Sequence, residues 1–250
     1  LRAYMGMSYF YMYTGLYEES TEYAEQALHF AKMSGRIGHS TYILTALADN
    51  KWYVGDFSAA HDLYSQALSI AEKMGMEKQK LVIYLNVGNA YRLQNDFEQA
   101  RVYLEDALDA LLNNQSYALA CLTTASLCHV YAELDLLDDA RQLLKDGMQM
   151  ACDLDNPYRQ VVMIIAAVHW CIVQARVLTD NLQYDALATG ICWMGFAQSS
   201  SYLAQFDHAE LEEYRPRVLE ILDEAHVDAL LAEGKDLILE DITDYILNRL

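Results

Sequence analysis

The sequence has almost no proline, two in 250 residues, and only eleven glycines. Proline removes a backbone donor and clashes with the preceding turn, and glycine weakens a helix interior. Their scarcity, with Ala, Leu, Glu and Gln abundant, points to an all-helical chain. Basic residues are also short: 17 Lys and Arg face 36 Asp and Glu, a formal net charge of −19. A surface of that sign repels phosphate backbones and anionic lipid heads, which argues against nucleic-acid or membrane partners. Solubility of a helical surface is the plainer reading of the acidity.

Long apolar runs are missing too. The longest, Val161 to Val173, is interrupted by His169 and is too short to cross about 30 Å of hydrocarbon. No basic-then-apolar leader opens the chain. The five cysteines (121, 128, 152, 171 and 192) form an odd set without a C-x-x-C pair, each inside an apolar pattern. Buried, reduced thiols of a cytoplasmic protein are expected, and a disulfide framework is not. Hydrophobic content of 54% is ample for a core, which excludes a disordered chain.

Motifs that carry chemistry are absent. No G-x-x-x-x-G-K-[ST] loop occurs; "EGK" at Glu233–Lys235 lacks the upstream glycine and the hydroxyl residue. H-E-x-x-H, G-x-S-x-G and G-x-G-x-x-G are missing as well. The expectation is a non-enzymatic segment with no catalytic residues and no cofactor.

What the chain has is a repeat. "GDFSAAHDLYSQAL" begins at Gly55, "GLYEESTEYAEQAL" at Gly15, "NDFEQARVYLEDAL" at Asn95 and "DLLDDARQLLKDGM" at Asp135. These four copies are evenly spaced and align without a gap. In each, a first helix carries a small residue at Ser8, Ala48, Gly88 or Cys128, with Tyr11, Lys51, Tyr91 or Tyr131 three residues on. A turn position takes Gly15, Gly55, Asn95 or Asp135, types that tolerate tight backbone geometry. An apolar anchor follows at Tyr17, Phe57, Phe97 or Leu137. The second helix has small residues at Ser20, Ala60, Ala100 and Ala140, and again at Ala27, Ala67, Ala107 and Gly147. Seven residues apart, the two small positions share one helix face, so a neighbouring helix is expected to come very close there.

This grammar resembles the tetratricopeptide repeat, and "LNVGNAYRLQNDFEQARVYLEDAL" in the third copy resembles it most. The resemblance implies a right-handed α-solenoid of antiparallel helix pairs closed by a C-terminal helical cap. Four repeats are expected over 1–155, at 1–35, 36–75, 76–115 and 116–155. The period of 40 exceeds the usual 34, so each helix should be about a turn longer. From Asn156 the register decays: Pro157 signals a helix start, but Tyr184 to Gln205 lacks the small-residue spacing. A degenerate fifth pair over 156–206 and capping helices over 207–250 are expected, since a solenoid end must meet water.

The C-terminal segment resembles the tail that follows 40-residue repeats in large bacterial signal-transduction ATPases, including regulators with LuxR-type or SARP-type DNA-binding domains. The resemblance rests on Gly195, Ala197, Tyr214, "LLAEGK" (Leu230–Lys235) and "LEDITDYIL" (Leu239–Leu247). Where that tail carries a Trp before A-E-G and a Ser capping the last helix, this chain has Leu231 and Ile238. The chain begins at Leu1 without Met, so a piece of a longer protein is expected.

Tetratricopeptide solenoids line their concave face with first helices. Carried over, that pattern selects Tyr9, Met12, Tyr13, Asp49, Trp52, Tyr53, Asn89, Arg92, His129 and Glu133 as the candidate ligand face. The resemblance gives Asn89 the position that holds a ligand's main chain, and Arg92 suits a carboxylate. The basic residues of carboxylate-clamp repeats are missing from the matching positions, so a clamp for acidic C-termini is not expected. Two other readings of this face stand beside it: aromatic core between repeats, and a surface filled by a neighbouring domain of the same protein. His129 and His169 are one repeat period apart, with Cys128, Cys171 and Glu133 near, a set that includes zinc-ligand types. Neighbouring helices lie about 8–10 Å apart, so only two or three ligands converge. A groove-lining polar role is therefore preferred, and no metal is expected.

The functional expectation is a cytoplasmic sensor or scaffold arm of a larger bacterial ATPase or transcription regulator. Its partner is a protein or peptide, upstream domains of the same chain included. The alternative is a free-standing adaptor that captures a peptide.

Overall fold

A computed structural model describes residues 1–203 and 205–250, with only the backbone of Gln205, Phe206, Asp207 and Ala209. The described residues form thirteen helices and no strand. They are α1 (Arg2–Tyr13), α2 (Tyr17–Met33), α3 (Ile37–Tyr53), α4 (Phe57–Lys73), α5 (Glu77–Leu93), α6 (Phe97–Asn113) and α7 (Tyr117–Glu133). There follow α8 (Leu137–Asp153), α9 (Pro157–Ala175), α10 (Asp180–Ser199), α11 (Gln205–Leu219), α12 (Glu224–Gly234) and α13 (Leu239–Asn248). The chain divides into two compact units, Leu1–Leu93 and Gln94–Leu250. The expected end of the fifth pair, at residue 206, falls among side chains outside the description.

From α2 to α8 every helix is 17 residues long. The turns between them explain this. Left-handed backbone recurs at positions 15, 35, 55, 75, 95, 115, 135 and 155, at intervals of half a repeat. At Gly55 the backbone N–H donates to Trp52 O (2.9 Å) and that of Asp56 to Lys51 O (2.9 Å). This paired closure of the last turn needs one residue at positive φ, which glycine adopts without strain. The same pair of bonds closes the helices before Gly15, Gly35, Gly75, Gln115, Asp135 and Asp155. The residue after the left-handed one then caps the next helix. The side chains of Asp56, Asp96 and Asn156 accept from Ala59 N, Gln99 N and Arg159 N. Three connecting residues thus end one helix and start another.

The small residues stand where helices cross. Ala27, Ala60, Ala67, Ala100, Ala107 and Ala140 are fully buried, with Ser20. In the first pair Ser20 Oγ donates to Ser8 O (2.8 Å); in the fourth, the Cys128 thiol faces Ala140 O (3.5 Å). A Cβ on Gly147 would press on Met163 of α9 and Thr124 of α7. In the first unit Asn50 of α3 donates to Ser20 Oγ (2.8 Å), so buried polar groups tie α1, α2 and α3 together.

In the second unit the register is lost after Asp155: the next left-handed residue is Asp180, at the start of α10. α9 and α10 still pack as a pair. α9 runs beyond the apolar segment read from the sequence, and at 19 residues it is long and apolar enough to cross a membrane by length and composition. Burial of thirteen of its residues inside this unit accounts for its apolarity. α10 and α12 cross at two glycines: a Cβ on Gly195 would meet the Leu231 carbonyl, and one on Gly234 the Cys192 carbonyl. Tyr214 of α11 and Ile242 and Ile246 of α13 are buried in the same core. Ile238, in place of a capping serine, gives α13 no side-chain cap. Among the cysteines, 121, 128 and 171 are buried. Cys152, in the last turn of α8, and Cys192 keep part of their surface, contrary to expectation.

Candidate interaction face

In the first unit, α1, α3 and α5 contribute the predicted face. Asp49 is its polar centre: Tyr64 Oη of α4 donates to Oδ1 (2.5 Å), and Asn86 Nδ2 of α5 to Oδ1 (3.2 Å) and Oδ2 (3.3 Å). Burial pushes the Asp49 carboxyl up to about 6, against the lowering effect of these two hydrogen bonds. Tyr9 is close enough for the Asp49 charge, after burial, to raise its own hydroxyl. Tyr13 and Tyr53 stand exposed at 54% and 47%, and Tyr53 stacks on Tyr17 with centroids 4.7 Å apart.

The other predicted residues of this unit divide. Met12, Asn89 and Arg92 are half-buried, and Asn89 Oδ1 lies buried without a hydrogen-bond partner. Trp52 is not with them: it is 6% exposed and packs on Phe57 (centroids 4.5 Å) and edge-on to His61. Its role is packing between α3 and α4.

In the second unit, His129 and Glu133 of α7 meet His169 of α9. The two imidazoles stack with centroids 3.5 Å apart and planes 12° from parallel. Glu133 Oε1 lies 3.2 Å from His169 Nε2 and accepts from Arg217 Nη1 (2.8 Å); Oε2 accepts from Arg176 Nη1 (3.2 Å). Burial would raise the Glu133 carboxyl, but His169 and the two arginines hold it down at about 2. His169 is fully buried, which lowers its pKa against the pull of Glu133.

His129, Glu133 and His169 present ligand atoms within 4.8 Å of one another, the geometry of a metal-binding group. Two guanidinium cations on Glu133 already neutralise it and oppose a divalent ion there. Helix spacing predicts that two or three ligands converge here, and the structure brings these three together.

Sequence reasoning missed the element that covers this cluster. Leu211, Tyr214 and Val218, at i, i+3 and i+7, turn one face of α11 into the core. Tyr214 packs on the His169 ring (5.4 Å), Arg217 reaches Glu133, and Glu210 approaches His129 Nδ1 (3.8 Å). Here the chain's own helix lies on the first-helix face. The apolar spacing in α11 was the available signal. Also missed were the turns between repeats, although Gly35 and Gly75 are themselves one repeat period apart.

Consecutive helices paired through small residues, with polar and aromatic side chains on the first helices, define a tetratricopeptide repeat protein. The profile of the MalT-like TPR region matches residues 4–180, and the chain belongs to that family. Among curated proteins none matches it.

Proposed function

We propose that this chain is a non-enzymatic interaction module, the sensing or regulatory arm of a larger bacterial signalling ATPase or transcription regulator. It works in the cytoplasm and binds a protein, peptide or small ligand on its first-helix face. The observation that carries this reading is the match to the MalT-like TPR region over residues 4–180, combined with the Asp49–tyrosine face of the first unit. Occupancy of that face shifts the arm between two populated states and so alters its restraint on the engine it serves.

The test is the size of the native protein in its own cells, detected through an antibody to this segment. A species several times the mass of this chain supports the arm; one of the chain's own mass supports the free-standing adaptor instead. In the larger protein, Tyr13→Ala with Tyr53→Ala should uncouple signal from output while folding is kept. A folded double variant that responds as the parent does would sink the role of this face.

A further inference from the structure

Within the first unit Asp49 is out of balance. It interacts with a phenol and an amide, Tyr64 and Asn86, and neither is a base. Glu133 of the second unit, a carboxylate in a comparable helix face, has two arginines. A carboxylate withdrawn from water without a cation is costly, and an incoming positive group recovers part of that cost. Room for one remains on the carboxylate: Oδ1 accepts twice, whereas Oδ2 accepts only the 3.3 Å contact from Asn86. Asp49 also keeps part of its surface; Tyr9 lies near it, with exposed Tyr13 beside Tyr9 and exposed Tyr53 beside Tyr64. Tyrosine rings beside a carboxylate suit a flat guanidinium, which stacks on rings and donates in a fork.

The repeat supplies a parallel. Two repeat periods carry Asp49 onto His129, where α11 brings the Glu210 carboxylate to 3.8 Å of the imidazole. A helix laid on this face therefore presents a charged side chain at that register.

We propose that the α1–α3 face of the first unit receives an arginine side chain from a protein partner, with Asp49 as counter-ion and Tyr9, Tyr13 and Tyr53 as walls. This deepens, and rests on, the reading of the chain as an interaction module. The arginine is carried on a helical segment and enters the face as Arg217 of α11 enters the second unit's. Selectivity against acidic segments follows from the same carboxylate.

The test uses the full chain and two short alanine-based helical peptides, one with a single arginine and one with citrulline, its neutral isostere, in its place. Isothermal titration should give saturable binding of the arginine peptide, weakened about tenfold or more by citrulline, the loss expected for one charge-assisted pair. Asp49→Asn should cost the same factor, Tyr53→Ala a smaller one, and Glu25→Gln, an exposed acid on α2, nothing. Equal affinity for both peptides, unchanged affinity in folded Asp49→Asn, or no saturable binding up to about 1 mM peptide would overturn the proposal. If Asp49→Asn does not fold, Tyr53→Ala decides in its place. Loss of arginine discrimination with a partner still engaged in cells sinks this inference alone; a native protein that engages no partner sinks the module reading.

Discussion

Gly234 of α12 lies so close to Cys192 of α10 that a side chain on the glycine would run into the cysteine's carbonyl oxygen. Gly195 stands in the same relation to Leu231. Two helices therefore meet backbone to backbone, and no rotamer change makes room for a methyl group. Gly234→Ala and Gly195→Ala should each destabilise the second unit by about 1–3 kcal/mol, the usual cost of overpacking. Thermal unfolding followed by circular dichroism measures it; an unchanged midpoint would mean that α12 docks less closely.

The polar link in the first unit gives a second expectation. Ser20 Oγ accepts from Asn50 and donates to Ser8 O, all three residues being buried. Ser20→Ala has the right size but strands the Asn50 amide, which already has one oxygen without a partner. The expected loss is about 1–3 kcal/mol, the cost of leaving a buried polar group unpaired. Urea denaturation compares it with Ala60→Ser, which places a new hydroxyl at the matching position of the next pair.

Stability should peak in mildly acidic solution. The Asp49 carboxyl is raised from 3.8 to about 6, so its protonation favours the folded state below 3.8, and that contribution is lost as pH rises through about 6. Its surroundings are Tyr9 of α1, Tyr64 of α4 and Asn86 of α5, with Tyr13 and Tyr42 beside Tyr9 and Tyr53 beside Tyr64. Glu133 runs the other way. Lowered from 4.5 to about 2, it contributes fully above 4.5 and loses that contribution as pH falls toward 2. Melting temperature against pH should therefore fall on both sides. Asp49→Asn should flatten the limb from about pH 4 to 6 and leave the acid limb in place; Glu133→Gln should flatten the acid limb.

Among the described residues, buried Leu211, Tyr214 and Val218 anchor α11, with Arg217 on Glu133 and Arg215 on Asp228 and Glu224 of α12, and Pro216 interrupts its backbone bonding. Tyr214→Ala should cost about 3 kcal/mol or more by opening a cavity over His169. Hydrogen exchange should then quicken across α11 while the small-residue crossings of α7 with α8 keep their protection. Uniform acceleration through the whole unit would mean that α11 is part of one cooperative block.

The helices and their pairing were legible because the determinants are local. A turn residue, a cap and a small residue each act within a dozen positions, and four copies made the pattern visible. The face was legible only in part. Tyr9 lies near Asp49, but Trp52, three residues from Asp49, packs on Phe57, and a step of three on a helix does not fix which side of a stripe a ring takes. α11 was not legible at all as the cover of His129 and Glu133. Its contacts, such as Glu210 with His129 and Arg217 with Glu133, span about two repeat periods, and no periodicity reports a pairing at that distance.

The equal helices and equal turns limit how such a chain can change length. Each left-handed turn reverses the path, so removing one helix with its turn would set a second helix where a first helix stood. The crossing alanines would then face solvent, and the tyrosines and carboxylate would face a neighbour built to receive alanine. Removing or adding a whole pair leaves every face where it was. Duplication and loss in this chain are thus confined to even steps, and its reach toward a partner is adjustable only in complete repeats.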